Sequence, residues 1–82
     1  MLIGKVTGTI VSTRKCESLI GSKFLEVQLI QNGVESDSYI IAIDSVGAGI
    51  GERVLITTGS GARLALRDTN MPTDAVIVGI VD

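Results

Sequence analysis

Glycine is concentrated in one part of this 82-residue chain: five of its ten glycines lie between Gly47 and Gly61. They stand on both sides of the run 53–58, which is rich in β-branched residues. Because glycine adopts positive φ and lets another backbone come close, the pattern predicts a tight loop, a strand and a second tight loop. The first loop has almost no side-chain bulk, so it suits a place where several chains converge.

Alternation of apolar and polar residues predicts two strands in the first half of the chain. The first, 2–13, carries two glycines on its apolar face, which indicates the strong bending of a small closed barrel. The second is 23–31. Its candidates for the core are Leu25, Val27 and Leu29. The dipeptide Asn32–Gly33 then gives a strong hairpin signal.

Two later strands are apolar on both faces. The third strand contains the run 39–43 and the last is 75–81, and both predict burial on two sides. In an all-antiparallel domain of this size, the second face of the last strand is hard to bury within one subunit. We therefore expect it to contact another subunit. Between the fourth strand, 52–58, and the last, Ser60 is predicted to cap a short helix that ends near Arg67.

These elements predict an all-β fold: a small five-stranded barrel, similar to the oligonucleotide-binding barrel, with one short helix between strands four and five. Residues 1–82 are expected to form a single domain with a small core. Hydrophobic residues nevertheless make up 45% of the chain and charged residues only 20%. We therefore expect an obligate oligomer, in which another copy covers part of the apolar surface.

The composition argues against several classes of function. The chain has no histidine, so the commonest general base and metal ligand is missing. Its one cysteine, Cys16, is interpreted as a half-buried loop thiol and fits a reducing, cytoplasmic compartment. A net charge of −2 and two aromatic residues do not suit a nucleic-acid groove, and no apolar run approaches the ~20 residues that span a membrane. The sequence therefore predicts no catalytic, cofactor-binding or metal-binding residues.

The glycine runs do not match nucleotide-binding motifs. Residues 47–51 lack the G-x-G-x-x-G spacing, and residues 59–63 lack the Gly-Lys-Ser/Thr ending of a phosphate loop. Both are interpreted as structural turns. Asp44, just before the first run, either caps backbone amides of the loop or is a surface charge. Arg14 and Lys15 form either a solvated turn or a lateral contact surface.

Several segments, taken in order, are similar to one family over essentially the whole chain. Its most distinctive motif resembles 42–52, and the other matching segments are 6–15, 18–25, 59–63, 72–75 and 78–82. The chain resembles the bacterial microcompartment vertex proteins, also called the EutN/CcmL family. It departs from the family pattern at Arg53, where tryptophan is common. It stops at Asp82, where many relatives have a tail, so we expect no tail-mediated contact.

The resemblance implies a homopentamer that occupies the vertices of a polyhedral shell in the cytoplasm, beside hexameric shell proteins and with no chemistry of its own. Residues near the fivefold axis would come from the bulk-free loop. These axis candidates are Val46, Gly47, Ala48 and Gly49. The candidates for contact with neighbouring shell proteins are Arg14, Lys15 and Arg63.

Two alternatives of other classes stay open from the residues alone. One is an oligomeric barrel that binds a small oxyanion through backbone amides of the glycine loops. The other is a swinging-arm carrier domain, which has a similar size and strand content but needs a lysine at an exposed hairpin tip. The Asn32–Gly33 tip has no lysine, which argues against the carrier. An enzyme fits the sequence least.

Overall fold

The computed structural model describes residues 1–12, 16–67 and 72–82. The strands are β1 (Leu2–Ile10), β2 (Phe24–Gln31), β3 (Val34–Asp44), β4 (Arg53–Thr58) and β5 (Ala75–Val81). A single 3-10 turn, Glu17–Leu19, precedes β2, and helix α1 (Ser60–Ala65) lies between β4 and β5. The predicted barrel with one short helix is confirmed. The first strand, however, ends at Ile10 and not at residue 13.

The strands close into a barrel in the order β1-β2-β3-β5-β4, with β4 returning to β1. Every neighbouring pair is antiparallel except β3 and β5, which run parallel. The expectation of an all-antiparallel domain is therefore wrong, and the reason is one of parity. An odd number of strands cannot alternate in direction around a closed ring, so one adjacent pair must be parallel. Only two residue pairs form it, Ile43 with Val76 and Asp44 with Ile77.

The turn between β2 and β3 confirms the hairpin signal. Asn32 and Gly33 have φ values of 53° and 78°, and Gln31 pairs with Val34 beside them. Two consecutive positive φ values are typical of the two-residue turn whose twist matches the flanking strands. The short turn therefore sets the register between these two strands.

The barrel interior is filled by aliphatic side chains. Those with 1% or less of their surface exposed include Val6, Leu25, Val27, Val54, Ile56 and Ile77. Gly4 lies on the same side of β1, where an added Cβ would overlap Val27 and stand 2.9 Å from the Gln28 carbonyl oxygen. Glycine at this position therefore permits a close approach of β1 and β2.

A second apolar cluster lies under helix α1. Ala62 is fully buried together with Ile43 and Val76, and the partly buried Leu19, Phe24, Leu66 and Val78 surround them. The helix begins after Gly59, whose φ is 65°, and no side chain caps it, so the prediction of a Ser60 cap is wrong. Helix α1 covers part of the second face of β5 within the same chain, where Val76 is buried. Contact of that face with another subunit stays a prediction. Within the described residues, no helix combines the length and the apolar character that crossing a bilayer requires.

Candidate functional site

Residues 45–52, here called the glycine loop, connect β3 to β4. Gly47 and Gly51 have φ values of 82° and 90°, which side-chain-bearing residues rarely adopt. An added Cβ at either position would meet no atom within 4 Å, so backbone conformation and not crowding requires glycine there. The loop therefore makes sharp turns while leaving open space on its outer side.

Asp44 fixes the first half of the glycine loop. Its Oδ1 accepts a hydrogen bond from the Val46 amide at 3.1 Å, and its Oδ2 accepts one from the Ala48 amide at 2.9 Å. The Asp44 side chain is only 2% exposed. Lys23 Nζ lies 3.6 Å from Asp44 Oδ2 and donates to the Ala48 carbonyl oxygen at 2.9 Å. The structure thus supports the capping role of Asp44 over a simple surface charge.

The second half of the glycine loop is tied to its own end and to β1. Glu52 Oε1 accepts a hydrogen bond from the Gly49 amide at 2.6 Å. The Gly51 amide donates to the Val6 carbonyl oxygen at 2.8 Å, and the Val6 amide donates to the Glu52 carbonyl oxygen at 3.0 Å. A segment this rich in glycine is therefore held at both ends by hydrogen bonds.

These hydrogen bonds weigh against the oxyanion-binding alternative. The amides of Val46, Ala48, Gly49 and Gly51 all donate within the chain. In the second glycine run, the Gly59 amide donates to the Asp74 carbonyl oxygen at 2.9 Å. An anion at the glycine loop would have to displace a carboxylate and then stand beside it, and like charges at that distance repel.

The four axis candidates share the glycine loop but differ in exposure. Ala48 is 1% exposed and packs in the barrel core. Val46 is 41% exposed, Gly47 is exposed and Gly49 is half-buried. The Ala48 side chain therefore faces the interior of its own subunit, and only the other three candidates have exposed surface.

Arg63 is the described member of the shell-contact candidates, since Arg14 and Lys15 lie outside the described residues. It is half-buried on α1, and its Nη1 donates to the Thr73 carbonyl oxygen at 3.3 Å. Part of its hydrogen-bonding capacity thus ties the helix to the segment before β5. Cys16 has a free thiol and is exposed, contrary to its interpretation as half-buried.

Two apolar patches cover part of the barrel's outer surface. One is the outer row, in which Ile3 stands between its cross-strand partners Ile30 and Leu55. Ile3 is 41% exposed. The other is the β3 patch, formed by Tyr39 and Ile41, which are 52% and 47% exposed. The sequence predicts that both faces of this strand are buried. Within the single chain, the outer face is not buried at these two residues.

Sequence reasoning identified the β3 patch but missed the outer row. It followed the face of the first strand that carries Val6, which is the core face, and left the opposite face unexamined. The signal was available, because Ile3 and Leu55 are apolar residues at positions that alternate with core residues. Only the register of the barrel, however, brings Ile3, Ile30 and Leu55 side by side.

Comparison with known proteins gives one consistent result. The family model described as ethanolamine utilisation protein EutN/carboxysome matches residues 1–82. The carboxysome shell vertex protein CcmL of Gloeobacter violaceus is 47% identical over 100% of this chain and 83% of its own length. The vertex protein GrpN of Rhodospirillum rubrum is 46% identical, over 100% of this chain and 93% of its own.

Solved structures agree with the sequence matches. The structure of Gloeobacter violaceus CcmL superimposes with a TM-score of 0.94 at 47% identity, covering 100% of this chain and 86% of that one. The pentameric shell protein GrpN from Rhodospirillum rubrum superimposes with a TM-score of 0.90 at 44% identity, covering 100% and 94%. Since the family model and both relatives match over the whole chain, and the solved structures superimpose on its barrel, the protein belongs to the EutN/CcmL family.

Proposed function

We propose that this chain is a structural vertex protein of a bacterial microcompartment, which assembles as a homopentamer and lets the shell close. The observation that carries the proposal is similarity over the full chain to two vertex proteins, at 47% and 46% identity. A flat layer of hexagonal units cannot close into a polyhedron unless pentagonal units interrupt it. The role of a pentamer is therefore geometric, and it requires no catalytic residue.

The outer surface of the barrel supports a ring. A cyclic oligomer uses two different surfaces of each subunit, and each copy presents one to either neighbour. The outer row and the β3 patch are two such apolar surfaces. Ile3 in the outer row and both residues of the β3 patch remain exposed after the core is filled, and Ile30 and Leu55 beside Ile3 are half-buried. Contact between the outer row of one copy and the β3 patch of the next would cover both and generate a closed ring.

We place the assembled pentamer in the cytoplasm, within a shell whose flat faces consist of hexameric shell proteins. Charged groups at the subunit edge are the candidates for contact with those neighbours. Arg63 supports this role because it is only half-buried, while Arg14 and Lys15 remain candidates from the sequence. In cells that produce shell proteins, removing this chain should leave open or elongated shells instead of closed polyhedra.

The glycine loop is proposed to lie near the fivefold axis. A large residue at Ala48 would test the packing of the barrel core and not the axis, because that side chain is buried. Val46 is the better position, since it is 41% exposed beside Gly47. Substitution of Val46 by tryptophan should narrow or block the central opening. A Val46→Trp pentamer with an unchanged opening, seen by electron microscopy, would refute this placement.

Native mass spectrometry of the purified protein tests the proposed function directly. At micromolar concentration the expected dominant species contains five copies of the 8.5 kDa chain. Because both apolar patches would be covered in the ring, little free subunit should coexist with it. A dominant monomer under these conditions would contradict the proposal.

A further inference from the structure

The glycine loop carries exposed aliphatic side chains on a backbone that is already fixed. Val46 and Ile50 are 41% and 68% exposed. Three of the eight loop residues are glycine, the residue that loses the most conformational freedom when it is ordered. Left to itself, such a segment would sample many shapes and present these side chains in many directions. In this chain, hydrogen bonds from neighbouring side chains restrict it.

Two residues outside the loop restrict its first half, and together they form what we call the Asp44–Lys23 clasp. Asp44 uses both carboxylate oxygens, one on the Val46 amide and one on the Ala48 amide. Lys23 reaches both the Asp44 carboxylate and the Ala48 carbonyl oxygen. The backbones are joined as well, because the Asp44 amide donates to the Lys23 carbonyl oxygen at 2.9 Å. Hydrogen bonds to charged groups are stronger than neutral ones, so the clasp is a firm restraint.

We propose that Asp44 and Lys23 are positioning residues for subunit association: they hold the glycine loop of a single subunit in the shape in which it meets a second copy of this chain. The partner in this inference rests on the proposed pentamer. A loop that is preformed avoids the free-energy cost of ordering it during association. Asp44 acts through the loop and not as a contact, since its side chain is 2% exposed within its own subunit.

Hydrogen–deuterium exchange and dilution experiments on Asp44→Asn and Lys23→Met test the inference. The expected result is exchange of the Val46 and Ala48 amides that is at least about tenfold faster than in the wild type, given the usual strength of charge-assisted hydrogen bonds. The dissociation constant of the ring should also rise, in inverse proportion to the fraction of loops that keep the fixed shape. Amides inside β2 should exchange at the wild-type rate. Lys23→Met keeps the aliphatic stem of a half-exposed side chain, so it tests the clasp even where Asp44→Asn fails to fold.

Lys5→Met is the matched control. Lys5 Nζ lies 3.6 Å from Glu35 Oε1, the same separation as in the clasp, but the Glu35 side chain is 49% exposed where that of Asp44 is 2% exposed, and the pair lies outside the loop. This variant should leave exchange of the Val46 and Ala48 amides at the wild-type rate. Wild-type exchange at Val46 and Ala48 in both clasp variants would overturn the clasp. Faster exchange with unchanged ring dissociation would overturn its role in association.

Two further outcomes are distinguishable. Faster exchange that extends through β2 would show that the clasp residues only stabilise the barrel, and this would overturn the inference. A wild-type protein that stays monomeric at every concentration would overturn the proposed function, and with it the association role. Loop exchange in that monomer would still show independently whether the clasp holds the loop.

Discussion

At Gly4, the backbones of β1 and β2 leave no room for a side chain. A Cβ there would overlap Val27 and lie 2.9 Å from the Gln28 carbonyl oxygen. Backbone atoms cannot move aside as the end of a flexible side chain can. Relieving the overlap would therefore require the strands themselves to shift. Gly8, four residues further along the strand, has only Glu26 Oε1 near its missing Cβ, at 4.0 Å.

Substitution of Gly4 by alanine should lower the free energy of unfolding by about 1–3 kcal/mol, the usual cost of overpacking a core. Gly8→Ala should be neutral or slightly stabilising, because alanine loses less backbone entropy in a strand than glycine. Denaturant unfolding at one fixed protein concentration measures both, since association contributes to apparent stability. Equal effects of the two substitutions would contradict the close approach at Gly4.

Helix α1 is the element that completes the barrel from outside. Ala62 is fully buried against the cluster that contains Ile43 and Val76, whereas Ala65 on the same helix is exposed. A six-residue helix has little stability of its own, so its position depends on this packing. The two alanines therefore make a matched pair for testing the contact.

Ala62→Leu should destabilise the protein by roughly 1–3 kcal/mol, because three added carbons must be fitted into a filled site. Ala65→Leu should leave stability nearly unchanged, since its side chain faces solvent. Thermal unfolding followed by circular dichroism compares them. Similar unfolding midpoints for the two variants would show that the packing of Ala62 does not hold α1 against the barrel.

The strands and the hairpin could be predicted because their signals are local. Alternation located β2 through Leu25 and Val27, and Asn32–Gly33 located the turn. A parallel pair is required when five strands close into a ring, but no local sequence pattern predicts that it is formed by β3 and β5. The burial of Ala48 could not be predicted, because the path of the glycine loop depends on hydrogen bonds of Lys23, which precedes β2, and of Glu52, the last residue of the loop.

At the scale of the whole molecule, the apolar outer surface is the feature that a single subunit does not explain. Ile41 is 47% exposed on β3, and Ile3 is 41% exposed across the barrel on β1. Burying an aliphatic side chain of this size is worth about 1.5–3 kcal/mol. Covering both patches in every subunit of a ring therefore favours assembly strongly.

Ile41→Glu should keep the barrel folded but raise the dissociation constant of the ring by at least about tenfold, because a charge would replace a buried aliphatic group. Ser38→Glu adds the same charge to a polar, exposed position of β3 and serves as the control. Sedimentation velocity over a dilution series measures the dissociation constant of the ring for both variants. Rings of Ile41→Glu that are as tight as those of the control would exclude the β3 patch from the interface.

The junction between β3 and β5 has a mechanical consequence. β1 and β2 pair along most of their length, whereas β3 and β5 meet only through Ile43–Val76 and Asp44–Ile77. A cylinder joined so narrowly along one line should unroll there first when it is pulled or heated. Ala62 packs against the same two aliphatic residues, Ile43 and Val76, and so helps to hold this junction together. Under the tension of a curved shell, this line is where each subunit should yield.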